Sequence, residues 1–222
     1  MRDIVVAHVA VDRPLRLLDV GCGTGSLVFR LADALPHASL VGIDVSRANV
    51  DAARREQARH GSAMRVAFEA ADYLRYAAPP FDAIVADGVL HLVPGDARAL
   101  ARKLADDLRP GGVLVCSMAY EGAYNAAFAI VRRLLRRIRA PWLDRAILQA
   151  GRMLHGREMS DERLRERVGY MYLPPTRLMG RRLLGEFEAA GLRATAEYPM
   201  KSTSLSQLRH RVTVFTRIGA AA

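Results

Sequence analysis

The chain has 222 residues, of which 51% are hydrophobic and 25% charged, and its net charge is +10. This length predicts one soluble domain, and no apolar run reaches the roughly 18–20 residues that a membrane-spanning helix needs. The first residues carry polar interruptions and no small-residue cleavage site, so no signal peptide is expected. Cys22 and Cys116 lie in apolar or glycine-rich stretches without ligand spacing, which predicts a reducing cytoplasm, no disulfide and no metal.

Short apolar runs alternate with segments of helical periodicity along the first half of the chain. Strands are predicted at 16–20, 39–44, 64–70, 81–86 and 113–118. Helices are predicted at 26–35, 49–59 and 98–108, with a short helix within 2–11. Such alternation is typical of βαβ units, so it predicts an α/β protein with a mostly parallel sheet.

Residues 121–182 interrupt this alternation with a helical segment that contains 14 Arg and six acidic residues, and therefore most of the net charge. One helical face collects the apolar residues Phe128, Val131, Leu134, Leu135 and Ile138, and the other faces collect Arg132, Arg133, Arg136, Arg137 and Arg139. Three interpretations stay open: a lid over a hydrophobic or anionic substrate, a membrane-surface contact, or a core-packing helix with a solvated basic face. The candidate pocket aromatics are Tyr120, Tyr124, Trp142, Tyr170 and Tyr172.

The last part of the chain returns to the alternating pattern. A helix is predicted at 183–190, followed by strands at 192–197 and 211–216. The connection between these two strands has no room for a packed helix. We therefore expect an antiparallel hairpin at the edge of the sheet.

The stretch LLDVGCGTG at 17–25 joins the first predicted strand to the first long helix through Gly21, Gly23 and Gly25. Parallel sheets bind ligands at the carboxyl ends of their strands. Glycine there allows a tight turn and lets a ligand lie against bare backbone, while the helix N-terminus presents N–H groups. The turn is therefore predicted to bind a ligand.

Acidic residues lie at or just after the carboxyl ends of three of the predicted strands. Asp19 is placed to meet a cation, and Asp44, 19 residues after Gly25, is placed to accept hydrogen bonds from ribose hydroxyls. Asp72 follows the third strand. These carboxylates are predicted to lie at the same edge of the sheet as the glycine turn.

Five ordered segments resemble the class I S-adenosylmethionine-dependent methyltransferases of small-molecule type. They are LLDVGCGTG (17–25), VGIDVS (41–46), FEAADY (68–73), FDAIVADGVLHLVP (81–94) and LRPGGVLVCSM (108–118). The resemblance implies a Rossmann-like, seven-stranded sheet with helices on both faces and a helical insertion after the fifth strand. It implies a single domain, with a cofactor-binding core at 1–120, a lid at 121–182 and a closing helix and strand pair at 183–222.

The resemblance also implies S-adenosylmethionine as the cofactor and S-adenosylhomocysteine as the product. Asp19 would lie near the methionine ammonium group, Asp44 on the ribose, Asp72 on the adenine amine and Tyr73 beside the adenine ring. Cys22 is expected to fill space between glycines. The implied cofactor-binding residues are Asp19, Gly21, Cys22, Gly23, Gly25, Asp44, Val45, Asp72, Tyr73 and Asp87.

The sequence constrains the methyl acceptor and the catalytic base less than it constrains the cofactor. Asp87 and His91, after the fourth strand, are the candidate catalytic bases, and a base is needed only if the acceptor must lose a proton. The expected acceptor is a small, hydrophobic or aromatic molecule methylated at O or N. Asp87 lacks the following Pro-Pro-aromatic of amino-directed nucleic-acid methylases, and no Cys nucleophile follows a Pro there.

Three alternatives stay open: an RNA methyltransferase, suggested by the charge; a lipid or quinone methyltransferase at a membrane surface; and a non-methylating binding protein. Only about 15 residues precede the first strand. The site must then be covered by the insertion or by a second subunit of a homodimer.

Overall fold

Seven strands form one sheet in the computed structural model, which describes residues 1–60, 63–155, 164, 168–169, 171–200 and 208–219. The strands are β1 (Leu15–Val20), β2 (Ala38–Asp44), β3 (Val66–Ala70), β4 (Phe81–Asp87), β5 (Leu108–Ala119), β6 (Leu192–Pro199) and β7 (His210–Arg217). Their order is β3-β2-β1-β4-β5-β7-β6, and β7 runs antiparallel to the other six strands. The predicted α/β class with a mostly parallel sheet is confirmed.

Helices cover both faces of the sheet. They are α1 (Arg2–His8), α2 (Ser26–Ala34), α3 (Arg47–Gln57), α4 (Ala97–Asp106), α5 (Ala123–Arg137), α6 (Pro141–His155) and α7 (Arg181–Ala189). One core lies under α1, α2 and α3, and a second lies under α4 and α7. Because successive strand residues point to opposite faces, Leu17 of β1 enters the first core and Leu18 the second.

The start of β5 differs from the prediction, because the strand begins at Leu108 rather than at residue 113. Leu108 already pairs with Phe81, and the register shifts before Val113 pairs with Ala83. Pro110-Gly111-Gly112 therefore forms an irregularity inside the strand, with Gly111 at φ 75°. Proline and glycine are tolerated within strands at such bulges, which is why β5 extends through Pro110-Gly111-Gly112.

The insertion after β5 is helical, as predicted, and its end returns to the sheet. Met179 donates its N–H to the Ala119 carbonyl at 2.8 Å, and Glu121 donates to the Met179 carbonyl at 2.8 Å. The insertion thus leaves and rejoins the sheet at the carboxyl end of β5. Within the described ranges, the helices are all too short or too polar to cross a bilayer.

Candidate active site

The turn after β1 holds three glycines in the left-handed region, Gly21, Gly23 and Gly25, with φ of 72°, 54° and 83°. The N–H groups of Gly21 and Cys22 donate hydrogen bonds to the Ile43 carbonyl at 2.8 and 3.0 Å. These bonds fix the turn to the end of β2. Gly25 then precedes α2 as its N-cap residue. Left-handed backbone of this kind favours glycine at all three positions.

Of these three glycines, one faces open space. A Cβ atom added at Gly21 would lie 2.7 Å from Cγ2 of Val89, and one at Gly25 would lie 2.6 Å from Cζ of Phe68. At Gly23 such an atom meets nothing within 4 Å. Packing therefore requires Gly21 and Gly25, whereas Gly23 leaves bare backbone accessible to a ligand.

The Asp44 carboxylate is hydrogen-bonded to the backbone of the turn. Its Oδ2 accepts a hydrogen bond from the Gly23 N–H at 2.9 Å, and its Oδ1 accepts from the Ser46 N–H at 2.8 Å. A carboxylate has about four lone-pair sites, so acceptor capacity remains for a ligand. The neighbouring Val45 is 78% exposed at the same edge.

Three carboxylates influence one another at this edge of the sheet. Asp19 is 5% exposed at the end of β1. Burial raises the pKa of Asp19 well above its usual range, and the nearby carboxylates of Asp87 and Asp44 raise it further. In the described part of the chain, none of the three forms an ion pair. The result is a negative region that suits a cationic ligand.

Asp72 and Tyr73 point in different directions. Asp72 is exposed after β3, and its carboxylate accepts a hydrogen bond from the Leu74 N–H at 3.0 Å. Tyr73 is 3% exposed, and its ring lies 5.0 Å from Nζ of Lys103 beneath α4. Burial, and then Asp107, raise the pKa of the Tyr73 hydroxyl. Tyr73 therefore packs in the core, and its place beside an adenine ring stays a prediction.

Cys22 fills space between the turn and β2. Its side chain is 8% exposed, and its Cβ lies 2.9 Å from where a Cβ at Gly42 would be. Burial raises the pKa of the Cys22 thiol, so the thiolate form is disfavoured. The residue has the properties of a small core side chain rather than of a nucleophile.

The carboxyl end of β4 places Asp87 beside β5 and β7. The exposed Asp87 carboxylate accepts a hydrogen bond from the Ser117 hydroxyl of β5. The next residue, Gly88, has φ 70°, and a Cβ added there would lie 3.7 Å from Cε1 of His210. His210 opens β7, so a third strand contributes to this part of the site.

His91 is buried beside His210. It is 3% exposed, its Nδ1 has no hydrogen-bond partner among the described residues, and the two rings meet edge-on with centroids 5.0 Å apart. Burial lowers the pKa of His91 to about 3, and His210 and Arg132 contribute in the same direction. His91 is therefore a neutral imidazole at physiological pH, and its protonated form is strongly disfavoured.

The orientation of α5 contradicts the interpretation as a core-packing helix with a solvated basic face. Its buried residues are Asn125, Ala129 and Arg132. Val131 and Leu134 of the predicted apolar face are 44% and 50% exposed. That interpretation is wrong for most of the face, because α5 buries Asn125 and Arg132, and of the predicted apolar residues only Phe128 and Leu135 are half-buried. The Asn125 side chain fixes this orientation: its amide donates to the Tyr120 carbonyl at 2.7 Å.

Arg132 is the charged residue that this orientation buries. It is 8% exposed, its Nη1 donates to the Leu173 carbonyl at 3.2 Å, and its guanidinium lies 5.1 Å from the Phe128 ring centroid. Its Nε has no hydrogen-bond partner among the described residues. Burial lowers the pKa of Arg132 to about 10. Its positive charge lies near enough to His91 and His210 to lower the pKa of both.

His210 and Arg132 belong to the site but were not predicted as site residues from the sequence. His210 could have been found, because the first residue of an antiparallel strand lies at the same edge as the last residues of its parallel neighbours. Arg132 carried no such signal. Of the candidate pocket aromatics, Tyr172 is buried and donates to Asp144 at 2.6 Å, Trp142 is 61% exposed, and Tyr170 lies outside the described residues.

Known proteins match this chain at both the sequence and the structural level. The methyltransferase domain family matches residues 18–114. A ubiquinone biosynthesis O-methyltransferase of Chelativorans sp. (strain BNC1) is 30% identical in an alignment of 191 positions that covers 79% of this chain and 72% of that protein. The chain belongs to the class I S-adenosylmethionine-dependent methyltransferases.

Other methyltransferases match in part or in fold. A trans-aconitate 2-methyltransferase of Methylobacterium nodulans is 36% identical over 115 residues, which make up 51% of this chain and 42% of that protein. This chain spans only 25% to 52% of the length of three curated relatives that it matches, the Methylobacterium nodulans protein among them. The N-methyltransferase NodS from Bradyrhizobium japonicum WM9 has the same fold, with a TM-score of 0.61 at 17% identity over 98% of this chain and 94% of that one. The predicted family and fold are confirmed.

The methyltransferase cofactor carries positive charge on its amino and sulfonium groups, and the turn after β1 fits such a group in two respects. Gly23 presents backbone with open space in front of it. Asp19, Asp44 and Asp87 bring negative charge that no described cation neutralises. Burial and then the repulsion from Asp87 and Asp44 raise the Asp19 pKa, and a ligand with positive charge would offset both.

Proposed function

We propose that this methyltransferase transfers the methyl group of S-adenosylmethionine to an oxygen or nitrogen of a small, hydrophobic or aromatic molecule. The observation that carries the proposal is the open backbone at Gly23, bordered by the carboxylates of Asp44 and Asp19. When bound, the cofactor supplies a methyl group that its sulfonium has already activated for attack. The protein mainly has to bind, orient and exclude water.

Three carboxylates are proposed to hold the cofactor. Asp44 would accept from the ribose hydroxyls with the lone pairs that Gly23 and Ser46 leave free. Asp19 would offset the ammonium charge from the end of β1. Asp72, exposed after β3, would accept from the adenine amine. Each of these roles uses a side chain that lies at the carboxyl edge of the sheet.

The groups that could take a proton from the acceptor differ in their environment. His91 is neutral and disfavours a proton, so it suits hydrogen bonding to the acceptor better than proton uptake. Asp87 is exposed and lies near His210, which makes it the better-placed candidate base. An acceptor that is already anionic at the attacking atom needs neither.

The test is formation of S-adenosylhomocysteine from S-adenosylmethionine with a panel of acceptors that includes trans-aconitate, phenols and aromatic amines. We expect product with at least one acceptor, and its loss in Asp44→Ala. Asp51→Ala, which removes an exposed carboxylate from α3, is the matched control and should keep wild-type turnover. Cofactor binding without transfer to any acceptor would contradict the proposal and favour a non-methylating binding protein.

The outer face of α5 favours a second candidate function, methylation of a lipid-like acceptor at an anionic membrane surface. The exposed apolar residues are Ile130, Val131, Leu134, Ile138 and, at the start of α6, Trp142, with exposed fractions of 44% to 61%. Exposed arginines Arg133, Arg136 and Arg137 lie among them. An apolar stripe bordered by arginine matches an anionic lipid surface. Two copies of a chain with net charge +10 would instead repel each other, which disfavours a second copy as the partner of this face.

Co-sedimentation with vesicles tests this candidate. We expect binding to phosphatidylglycerol-containing vesicles and little binding to phosphatidylcholine alone, with a strong loss in the double variant Leu134→Glu, Ile138→Glu. Met64→Glu changes an exposed apolar residue at the opposite edge of the sheet and should bind like wild type. Concentration-dependent dimerisation that the double variant abolishes would instead identify a second copy as the occupant.

A further inference from the structure

The buried end of the site carries a positive charge that no carboxylate of the described residues balances. Arg132 is more than nine-tenths buried, and it forms no ion pair with any described residue. Of its described contacts, one is a carbonyl of Leu173 and another is the ring of Phe128. A buried charge without a counter-charge is costly, so such groups are normally paired or bind a ligand of opposite charge.

The groups around Arg132 are compatible with an anion. His91 and His210 both have lowered pKa values, chiefly because of burial, so they are neutral imidazoles that can each donate one N–H. The Nδ1 atom of His91 and the Nε atom of Arg132 both lack hydrogen-bond partners within the described ranges. Two buried polar atoms therefore lack a partner, and they belong to side chains that influence each other electrostatically, while the His91 ring also contacts the His210 ring.

These side chains adjoin the cofactor edge rather than lying in a separate part of the protein. His210 is half-buried and lies beside Gly88, directly after the exposed Asp87 at the end of β4. Asn125 holds α5 in the required orientation by bonding to both the N–H and the carbonyl of Arg209, the residue before β7, at 2.8 Å. His210 therefore lies between β4 and the part of α5 that Asn125 ties to β7, and the charge of Arg132 acts on it.

We propose that Arg132, with His210 and His91, binds an anionic group of the methyl acceptor, so that the acceptor is a small organic anion such as a carboxylate. This inference rests on the proposed methyl transfer and narrows its substrate class. The guanidinium supplies the counter-charge, and the neutral imidazoles supply hydrogen bonds without adding charge. Arg132 would then determine acceptor specificity, and the cofactor site would be independent of it.

Binding of small probes to the protein saturated with S-adenosylhomocysteine tests the inference without an activity assay. The probes are benzoate, the uncharged benzamide of the same shape, and phenyl phosphate, followed through the imidazole signals of His91 and His210 in NMR spectra of histidine-labelled protein. We expect benzoate to shift these signals saturably and benzamide to shift them little. Tighter binding of phenyl phosphate than of benzoate would support the anion site and identify a phosphate ester as its ligand.

Two neighbouring arginines of α5 provide the matched comparison. Arg132→Gln should weaken benzoate at least tenfold, whereas Arg133→Gln, which removes an exposed charge one residue away, should leave it within twofold. Arg132→Lys keeps the charge and should retain benzoate binding within a few-fold, which covers the case that Arg132→Gln does not fold.

Equal benzoate affinity in Arg132→Gln and Arg133→Gln would overturn the inference, and so would equal affinity of the wild type for benzoate and benzamide. S-adenosylhomocysteine binding separates this failure from that of the proposed function. If the wild type binds S-adenosylhomocysteine but not benzoate or phenyl phosphate, the anion site alone is wrong. If it does not bind S-adenosylhomocysteine, the methyltransferase proposal fails.

Discussion

The open space at Gly23 gives a prediction that separates ligand binding from stability. Gly23 and Gly111 both have left-handed backbone, with φ of 54° and 75°, and an added Cβ meets nothing within 4 Å at either position. Replacing either by alanine should cost about 1–2 kcal/mol for the left-handed conformation. For a chain of this size that lowers Tm by about 2–8 °C in both variants.

The two variants should differ in binding, because Gly23 lies in the turn after β1 and Gly111 lies near the start of β5 at the opposite edge of the sheet. Thermal unfolding gives the stability change, and calorimetric titration with S-adenosylhomocysteine gives the affinity. We expect Gly23→Ala to weaken binding at least tenfold and Gly111→Ala to leave it within twofold. Wild-type affinity in Gly23→Ala would refute the assignment of this turn as the cofactor surface.

Two further predictions concern buried titratable groups. Burial and two carboxylates raise the pKa of Asp19, so its ionised form destabilises the ligand-free protein at neutral pH. Asp19→Asn should therefore raise the Tm measured without ligand and weaken cofactor binding. A lower Tm together with unchanged binding would contradict this. The folded-state pKa of His91, about 3, is below its ordinary value of 6.5. The neutral His91 side chain therefore contributes fully to the free energy of unfolding above pH 6.5. This contribution is lost as pH falls toward 3, by up to about 1.4 kcal/mol per pH unit. His91→Asn should reduce this slope in denaturant unfolding between pH 6.5 and 4.5, and an unchanged slope would show that His91 is protonated in the folded protein.

The fold was predictable because its elements repeat a simple pattern. Buried parallel strands appear as short apolar runs, and each is followed by a segment with helical spacing. The glycine turn was predictable for the same reason, since left-handed backbone limits Gly21, Gly23 and Gly25 to one residue type. The acids at strand ends, Asp19 and Asp44, follow from the rule that parallel strands end at a common edge.

The parts that escaped prediction depend on tertiary contacts. Periodicity shows that α5 has an apolar stripe, but it cannot show which stripe faces the protein. That choice is made by Asn125, which bonds to Arg209 more than 80 residues away. Tyr73 directly follows Asp72, the acidic residue after β3, yet its ring lies against Lys103 in the core. Short-range patterns contain neither contact.

The measurement that tests the central claim most directly is calorimetric binding of S-adenosylmethionine and S-adenosylhomocysteine to the wild type and to Asp44→Ala, each at two salt concentrations. The account predicts one site per chain with micromolar affinity and little salt dependence in the wild type, because contacts in a partly buried turn are screened less than surface charges. It also predicts a large loss of affinity in Asp44→Ala. Absence of binding to either ligand, or equal affinity in the two proteins, would contradict a cofactor site at the turn after β1.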